Sequence, residues 1–223
     1  MSPAANRLER RKARTRAALI AAGQRFIAEG RLNAPILEIT QAADVGMGSF
    51  YNHFDSKEEL FVAAVDSALE SLGAYLDALT ADLADPAEIF AKSFRIVGRL
   101  FRLQPDLSRV LINSGASLIE SEHGLAPRAA RDITAATRAG RFTVEDIALA
   151  MALVTGSLLG LGRLLLQQPD RDCAATVDAM TVTILVALGL SREDAQELCS
   201  SPMPMDLITT ADDPNREVRN LSG

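Results

Sequence analysis

Apolar residues recur at spacings of three and four through most of the chain, the period of a helix with one buried face, and no stretch reads as a convincing strand. The first periodic run predicts a helix over Arg10–Glu29, with Leu19, Ala22, Gly23, Phe26 and Ile27 on one face and Gly30 as its stop. Pro35 opens a short helix, Ile36–Ala43, at a first position where its missing N–H costs nothing. The turn Asp44-Val45-Gly46 leads into another short helix, Met47–Phe54. Ser56-Lys57-Glu58-Glu59 has the form of a capping box and starts a long helix to about Leu83. Its apolar repeat is Phe61, Ala64, Val65, Ala68, Leu72, Leu76 and Leu79.

Asp85-Pro86-Ala87-Glu88 is a second start signal, for a helix that Gln104-Pro105 ends near Leu103. Asp106 is placed to cap a short helix through Ile112, and residues 113–124, which include His123, read as loop or frayed helix. Leu125–Ala139 reads as helix with Gly140 at its stop. Thr143-Val144-Glu145-Asp146 starts an apolar helix that ends near Gln168-Pro169. Thr176–Leu188, stopped at Gly189, and Ser191–Cys199 complete the set. The expected architecture is all-α: residues 1–56 as a basic arm with a three-helix module, 57–200 as a larger helical body, and 201–223 as a flexible tail.

Ile147–Gly162 is 16 residues long without a charge. A spanning helix needs about 20 such residues, so the stretch reads as a helix buried almost all round, in a core or a subunit interface. Its Gly156 and Gly160 could mark close helix packing, a weak signal in a soluble helix.

The 48% hydrophobic content excludes a disordered chain. Two cysteines 26 positions apart, Cys173 and Cys199, fit neither a disulfide framework nor a zinc spacing, and a reducing cytoplasm is the simplest setting. The net charge of −6 would argue against nucleic acid, but it is uneven. Residues 1–57 hold nine Lys/Arg against five Asp/Glu, and the rest holds 14 against 24. Arg7, Arg10, Arg11, Lys12, Arg14 and Arg16 form one basic run, which suits a small module meeting a polyanion beside an acidic body that does not. A solubilising tail is the plainer reading of such a run.

Short helices joined by a three-residue turn describe a helix-turn-helix, whose second helix enters the DNA major groove with its N-terminal side chains at the base edges. Met47, Gly48 and Ser49 stand at that leading edge, with Asn52 also exposed, while Phe50 and Phe54 anchor the helix to a core. Tyr51, His53, Lys57, Arg11 and Arg14 are candidate phosphate donors, which fix register without reading sequence. Tyr51 and His53 could equally be ordinary surface groups.

The stretch 36–60, ILEITQAADVGMGSFYNHFDSKEEL, resembles the signature of TetR-family transcriptional repressors, and Ala21, Ala22 and the Phe26 to Gly30 spacing are similar to that family's first helix. The resemblance covers about residues 10–65 and is carried above all by Gly48-Ser49-Phe50-Tyr51-Asn52-His53-Phe54 with Ser56-Lys57-Glu58. It implies a homodimer on a pseudo-palindromic double-stranded operator, with a body that binds a small molecule weakening operator binding. Two positions depart from the family: Asp44 stands where glycine is usual, and Gly46 where serine caps the recognition helix. A third, Ala34-Pro35, replaces the hydroxyl residue that contacts a phosphate, and Asn33 is a nearby substitute.

A small apolar ligand is expected within the body. Tyr75, Phe90, Phe94, Phe101 and Met151 are candidate walls, and Arg95, Asn113 and Thr155 candidate polar handles. Plain core is an equal reading for each, because apolar periodicity does not distinguish a cavity wall from filled interior. Few aromatics favour an aliphatic or acyl ligand over a cation held in an aromatic cage. Dimerisation is expected on about Val144–Leu166, Leu158 included, and Thr176–Leu188, which are more apolar than one monomer core needs. No nucleophile elbow, P-loop, dinucleotide fingerprint or metal motif is present, and no cofactor or membrane partner is expected. A helical interaction or scaffold protein, and last a small helical enzyme, remain the alternatives to a DNA-binding regulator.

Overall fold

The computed structural model describes residues 3–103, 105, 108, 109, 112 and 124–203. Among the described residues the protein is all-α, with nine helices and no strand. The short helix expected over 106–112 and the tail beyond Met203 lie almost wholly outside the described residues.

Helix α1 (Pro3–Ala28) begins seven residues before the expected start, so Arg7 joins the rest of the basic run in the helix. No Gly or Pro separates Ala4 from Gly23, and nothing local stops the helix from running outward. Its buried face is the expected one: Leu19, Ala22, Phe26 and Ile27 are all at most 5% exposed. Helix α2 (Ile36–Ala42) has Pro35 as the residue before its first turn, in extended conformation, not inside it. Helix α3 (Met47–Phe50) is a single turn, shorter than expected. Hydrogen bonds from the N–H groups of His53 and Phe54 to the Phe50 carbonyl carry its winding into the following turn.

Helix α4 (Lys57–Thr80) starts as its sequence signals. Ser56 Oγ accepts from Glu59 N–H at 3.1 Å, and Glu59 reaches back to accept from Asp55 N–H at 2.7 Å. Glycine makes the junction with α1 close: a Cβ on Gly23 would stand 3.1 Å from that of Ala64. Gln24 Nε2 donates to the Ala64 carbonyl there.

Helix α5 (Pro86–Leu103), capped by Asp85 at the Ala87 N–H, is the hub of the body. It touches α4, α6 (Leu125–Arg138), α7 (Ile147–Gln167), α8 (Cys173–Ala187) and α9 (Arg192–Ser200), and every residue from Phe94 to Phe101 is buried. Asp146, Asp172 and Ser191 cap α7, α8 and α9 through side-chain oxygens, satisfying N–H groups that would otherwise lack partners.

Helix α7 is not buried all round by its own chain, which leaves the subunit-interface half of the expectation open. It is long and apolar enough to cross a membrane by length and composition, and one face packs into the bundle against α5, α6 and α8. The other face leaves Leu149 at 70%, Leu153 at 43% and Leu166 at 39% exposure. Gly156 and Gly160 face open space, so they mark no close packing within the chain. Gly162 does, with the Phe101 ring against it.

Candidate nucleic-acid interface and ligand cavity

The turn between α2 and α3 closes in a Schellman arrangement. Val45 N–H donates to the Thr40 carbonyl at 3.0 Å and Asp44 N–H to the Gln41 carbonyl at 3.1 Å. Asp44 takes the left-handed conformation, φ +53°, in the position where a glycine would be unstrained. Gly46 occupies the N-cap of α3 without a side-chain bond; its carbonyl accepts from Ser49 N–H at 2.8 Å, and no side-chain oxygen caps the turn.

Phe50 and Phe54, at most 2% exposed with ring centroids 5.9 Å apart, hold α3 to the module; burying each contributes about 1.5–3 kcal/mol. The opposite side of the element is open. Met47, Gly48, Tyr51 and Asn52 are exposed, Ser49, His53 and Lys57 half-buried, and no atom lies within 4 Å of where a Gly48 side chain would begin. Lys57 opens α4, beside N–H groups that favour an anion. Arg7, Arg11 and Arg14 follow helical spacing on α1, all exposed, while Arg16 stacks on the Phe54 ring with its guanidinium 5.2 Å from the centroid.

Behind this module, α4, α5, α6 and α7 line a small cavity of about 60 Å³ that opens to solvent. Leu76, Phe90, Phe94, Val97, Leu125 and Leu158 form much of its apolar wall. Asp77, Ser93, Arg128, Arg131 and Asp132 supply its polar groups. Asp77 Oδ2 accepts from Arg128 Nε at 2.7 Å and Asp77 Oδ1 from Arg131 Nη2 at 2.9 Å; Arg131 Nε donates to Asp132 Oδ1 at 2.9 Å. Burial pushes the Asp132 carboxyl above the usual range, with Arg131 pulling the other way. Burial also acts upward on Asp77, but the two guanidiniums outweigh it and hold that carboxyl low.

Of the candidate ligand residues, the cavity unites only Phe90 and Phe94. Arg95 is not a polar handle: its Nε donates to Asp178 at 2.8 Å and its Nη1 to the Ser201 carbonyl at 3.0 Å, away from the lining. Phe101 is committed to Gly162, and Met151 and Thr155 sit in the core off the lining. Tyr75 is also off it; its hydroxyl is buried without a hydrogen-bond partner among the described residues. Asn113 lies outside the described residues. Leu158, expected in a subunit interface, lines the cavity within the single chain.

Asp77, Arg128, Arg131 and Asp132 were not singled out by sequence. The pair Arg131-Asp132 with Arg128 one turn earlier is a legible i, i+3, i+4 face, but charges on such a face are usually solvated, and only packing against α4 makes them a lining.

Residues 19–64 match the family model described as bacterial regulatory proteins, tetR family, and residues 85–201 match the model of the tetracyclin repressor-like C-terminal domain. The solved structure of RolR in complex with the ligand resorcinol is 34% identical, covering 88% of this chain and 98% of that one, with a TM-score of 0.70. RolR without ligand is 35% identical, covering 84% and 98%, with a TM-score of 0.67. The fatty acid degradation regulator FadR from Bacillus halodurans shares the fold at 19% identity and a TM-score of 0.65, covering 79% of this chain and 97% of that one. A comparison with curated proteins finds no match. With one model on the helix-turn-helix and the other over more than half of the chain, the protein belongs to the TetR family of DNA-binding transcriptional regulators.

Proposed function

We propose that the protein is a homodimeric repressor, acting in the cytoplasm without catalysis, that leaves a pseudo-palindromic operator when a small hydroxylated aromatic molecule enters the cavity between α4, α5, α6 and α7. The observation that carries this is the make-up of the cavity: Phe90, Phe94 and Leu158 offer flat and apolar surface, and carboxylates and guanidiniums converge beside them. A ring with hydroxyl groups matches both parts, since a hydroxyl donates to Asp132 or Asp77 and accepts from Arg128 or Arg131. The resorcinol held by RolR supports the same class. A purely apolar or acyl ligand would take water from these paired charges and offer them no polar contact in return, which is costly. The ligand expected from composition is therefore refined from apolar to amphipathic.

Residues 1–56 serve as the DNA-binding unit and 57–200 as the regulatory and dimerisation unit. Met47, Gly48 and Ser49 read base edges; Tyr51, Asn52, His53, Lys57, Arg11 and Arg14 hold the backbone. The exposed leucines of α7 and the exposed Ala175 and Ala179 of α8 support a two-helix contribution from each subunit. Two modules then address half-sites about 34–36 Å apart, or a multiple of that.

The test uses a duplex selected by the wild-type chain from a random-sequence pool. Fluorescence anisotropy measures its affinity with resorcinol, with catechol and with a medium-chain fatty acid. Weakening by the phenols alone is the expected result. Weakening by the fatty acid alone, or by none, overturns the ligand class.

A further inference from the structure

Helices α4 and α6 meet through a contact that leads straight from the cavity to the DNA-binding module. Helix α4 begins at Lys57, directly after the recognition element, and α1 is packed along its first half. Glu70, Gly73 and Asp77 follow one another on one face of α4 at helical spacing, and Arg128 of α6 lies along that face. Its Nε donates to Asp77 Oδ2 at 2.7 Å; its Nη2 and Nη1 donate to Glu70 Oε1 and Oε2 at 2.8 and 3.0 Å. Nη1 also donates to the Gly124 carbonyl at 2.9 Å, and Gly124 N–H donates to Glu70 at 3.0 Å.

Two glycines make this contact possible. A Cβ on Gly73 would stand 2.6 Å from Nη1 and 2.7 Å from the guanidinium carbon of Arg128, so the fork lies in a notch that only glycine leaves. Gly124 holds φ +81°, and a Cβ there would stand 2.4 Å from that of Leu69 on α4. The start of α6 is thus seated on α4 by shape as well as by charge.

Arg128 and Asp77 belong at once to this contact and to the cavity lining, whereas Glu70 and Gly73 belong to the contact alone. We propose that Arg128, laid across Gly73 between Glu70 and Asp77, is the clamp that holds α4 in its operator-binding arrangement, and that an inducer acts by competing for it. A ligand hydroxyl that engages Asp77 or Arg128 replaces a bond that ties α6 to α4. The ligand then binds better to the arrangement in which that tie is already loose, the differential affinity that a shift of the equilibrium requires. The inducer step rests on the ligand reading above; the role of the clamp in holding α4 does not.

Glu70→Gln weakens the fork without changing its shape, and Gly73→Ala displaces it without changing charge. Each is compared with wild type and with Ser71→Ala, an exposed neighbour outside the contact, for affinity toward the selected duplex without ligand. Thermal melting and sedimentation check that the variants fold and assemble as wild type does. Both clamp variants are expected to bind at least about fivefold more weakly, in the range of ordinary coupling between sites, with Ser71→Ala unchanged. The further weakening by resorcinol should be smaller in them than in wild type. If Gly73→Ala fails to fold, Glu70→Gln decides alone. Affinity within twofold of wild type in a folded Glu70→Gln protein overturns the clamp, as does a weakened variant with an undiminished resorcinol response. A wild type that ignores resorcinol overturns the ligand class instead, and the comparison without ligand then decides the clamp.

Discussion

Arg99 donates through Nη2 to both carboxylate oxygens of Asp178, at 2.9 Å each, joining α5 to α8 across 79 residues of sequence. Arg95 adds its Nε to the same carboxylate at 2.8 Å. The two arginine side chains are only 5% and 7% exposed, against 31% for Asp178, so one carboxylate answers two buried cations. Asp178→Asn leaves both guanidiniums without their counter-charge. It should destabilise the fold by about 3 kcal/mol, the low end for breaking a buried pair because Asp178 is partly solvated. Urea unfolding measures this; a loss below 1 kcal/mol (roughly the worth of a surface pair) would refute it.

The turn of the helix-turn-helix carries strain that one residue can relieve. Asp44→Gly removes the left-handed penalty and returns some of the gain as unfolded-chain entropy, for a net stabilisation of about 0.5–1 kcal/mol. Gly46→Ser meets no obstruction and supplies α3 with a capping oxygen, adding a few tenths of a kcal/mol. Thermal melting of the single variants and of the double variant tests both; a lower melting temperature for Asp44→Gly contradicts the assignment of strain.

Lys57 should act on the DNA backbone alone. Lys57→Gln is expected to weaken all duplexes alike and to lower the slope of log affinity against log salt by about one. An unchanged slope removes Lys57 from the contacts. Ser49 substitutions should instead change which duplex is preferred, at about 1–3 kcal/mol per lost discriminating contact.

The carboxylates of the cavity should respond to pH in opposite directions. Asp132 is held above its ordinary pKa, so folding favours its protonated form, and wild type should gain on Asp132→Asn as pH falls toward the ordinary aspartate value of about 4. Asp77 is held low, so its stabilisation is present at neutral pH. The deficit of Asp77→Asn should shrink only as pH falls below about 4. Paired urea titrations across pH give the two slopes, and slopes of like sign would contradict the assignment.

Subunit association should depend on Leu149 and Leu153, the exposed side of α7, and not on Leu158. Replacing Leu149 and Leu153 together with Asp is expected to give a monomer in analytical ultracentrifugation and to abolish tight operator binding with it. A dimer that survives this change moves the interface elsewhere.

The helices and the DNA-binding element were legible in the sequence because their determinants are local. Ser56, Asp85, Asp146 and Ser191 cap helices within three residues of themselves, Gly30, Gly140 and Gly189 end or follow helices with positive φ, and Phe50 and Phe54 bury the same side of one short segment. The early start of α1 and the shortness of α3 were less legible, since a helix end is set by a few hydrogen bonds that compete with packing. The composition of the cavity was decided only by the tertiary structure. Periodicity assigns a residue to a face of its helix but does not say what that face meets. Arg95 and Arg128 look alike in sequence, two arginines on amphipathic helices; Asp178, 83 residues away, takes the first into the core, and Glu70 and Asp77, 58 and 51 residues away, draw the second to the cavity edge. The same holds along α7, where Leu149 and Leu158 are equally apolar and the packing of α4, α5 and α6 sends one to solvent and the other to the cavity.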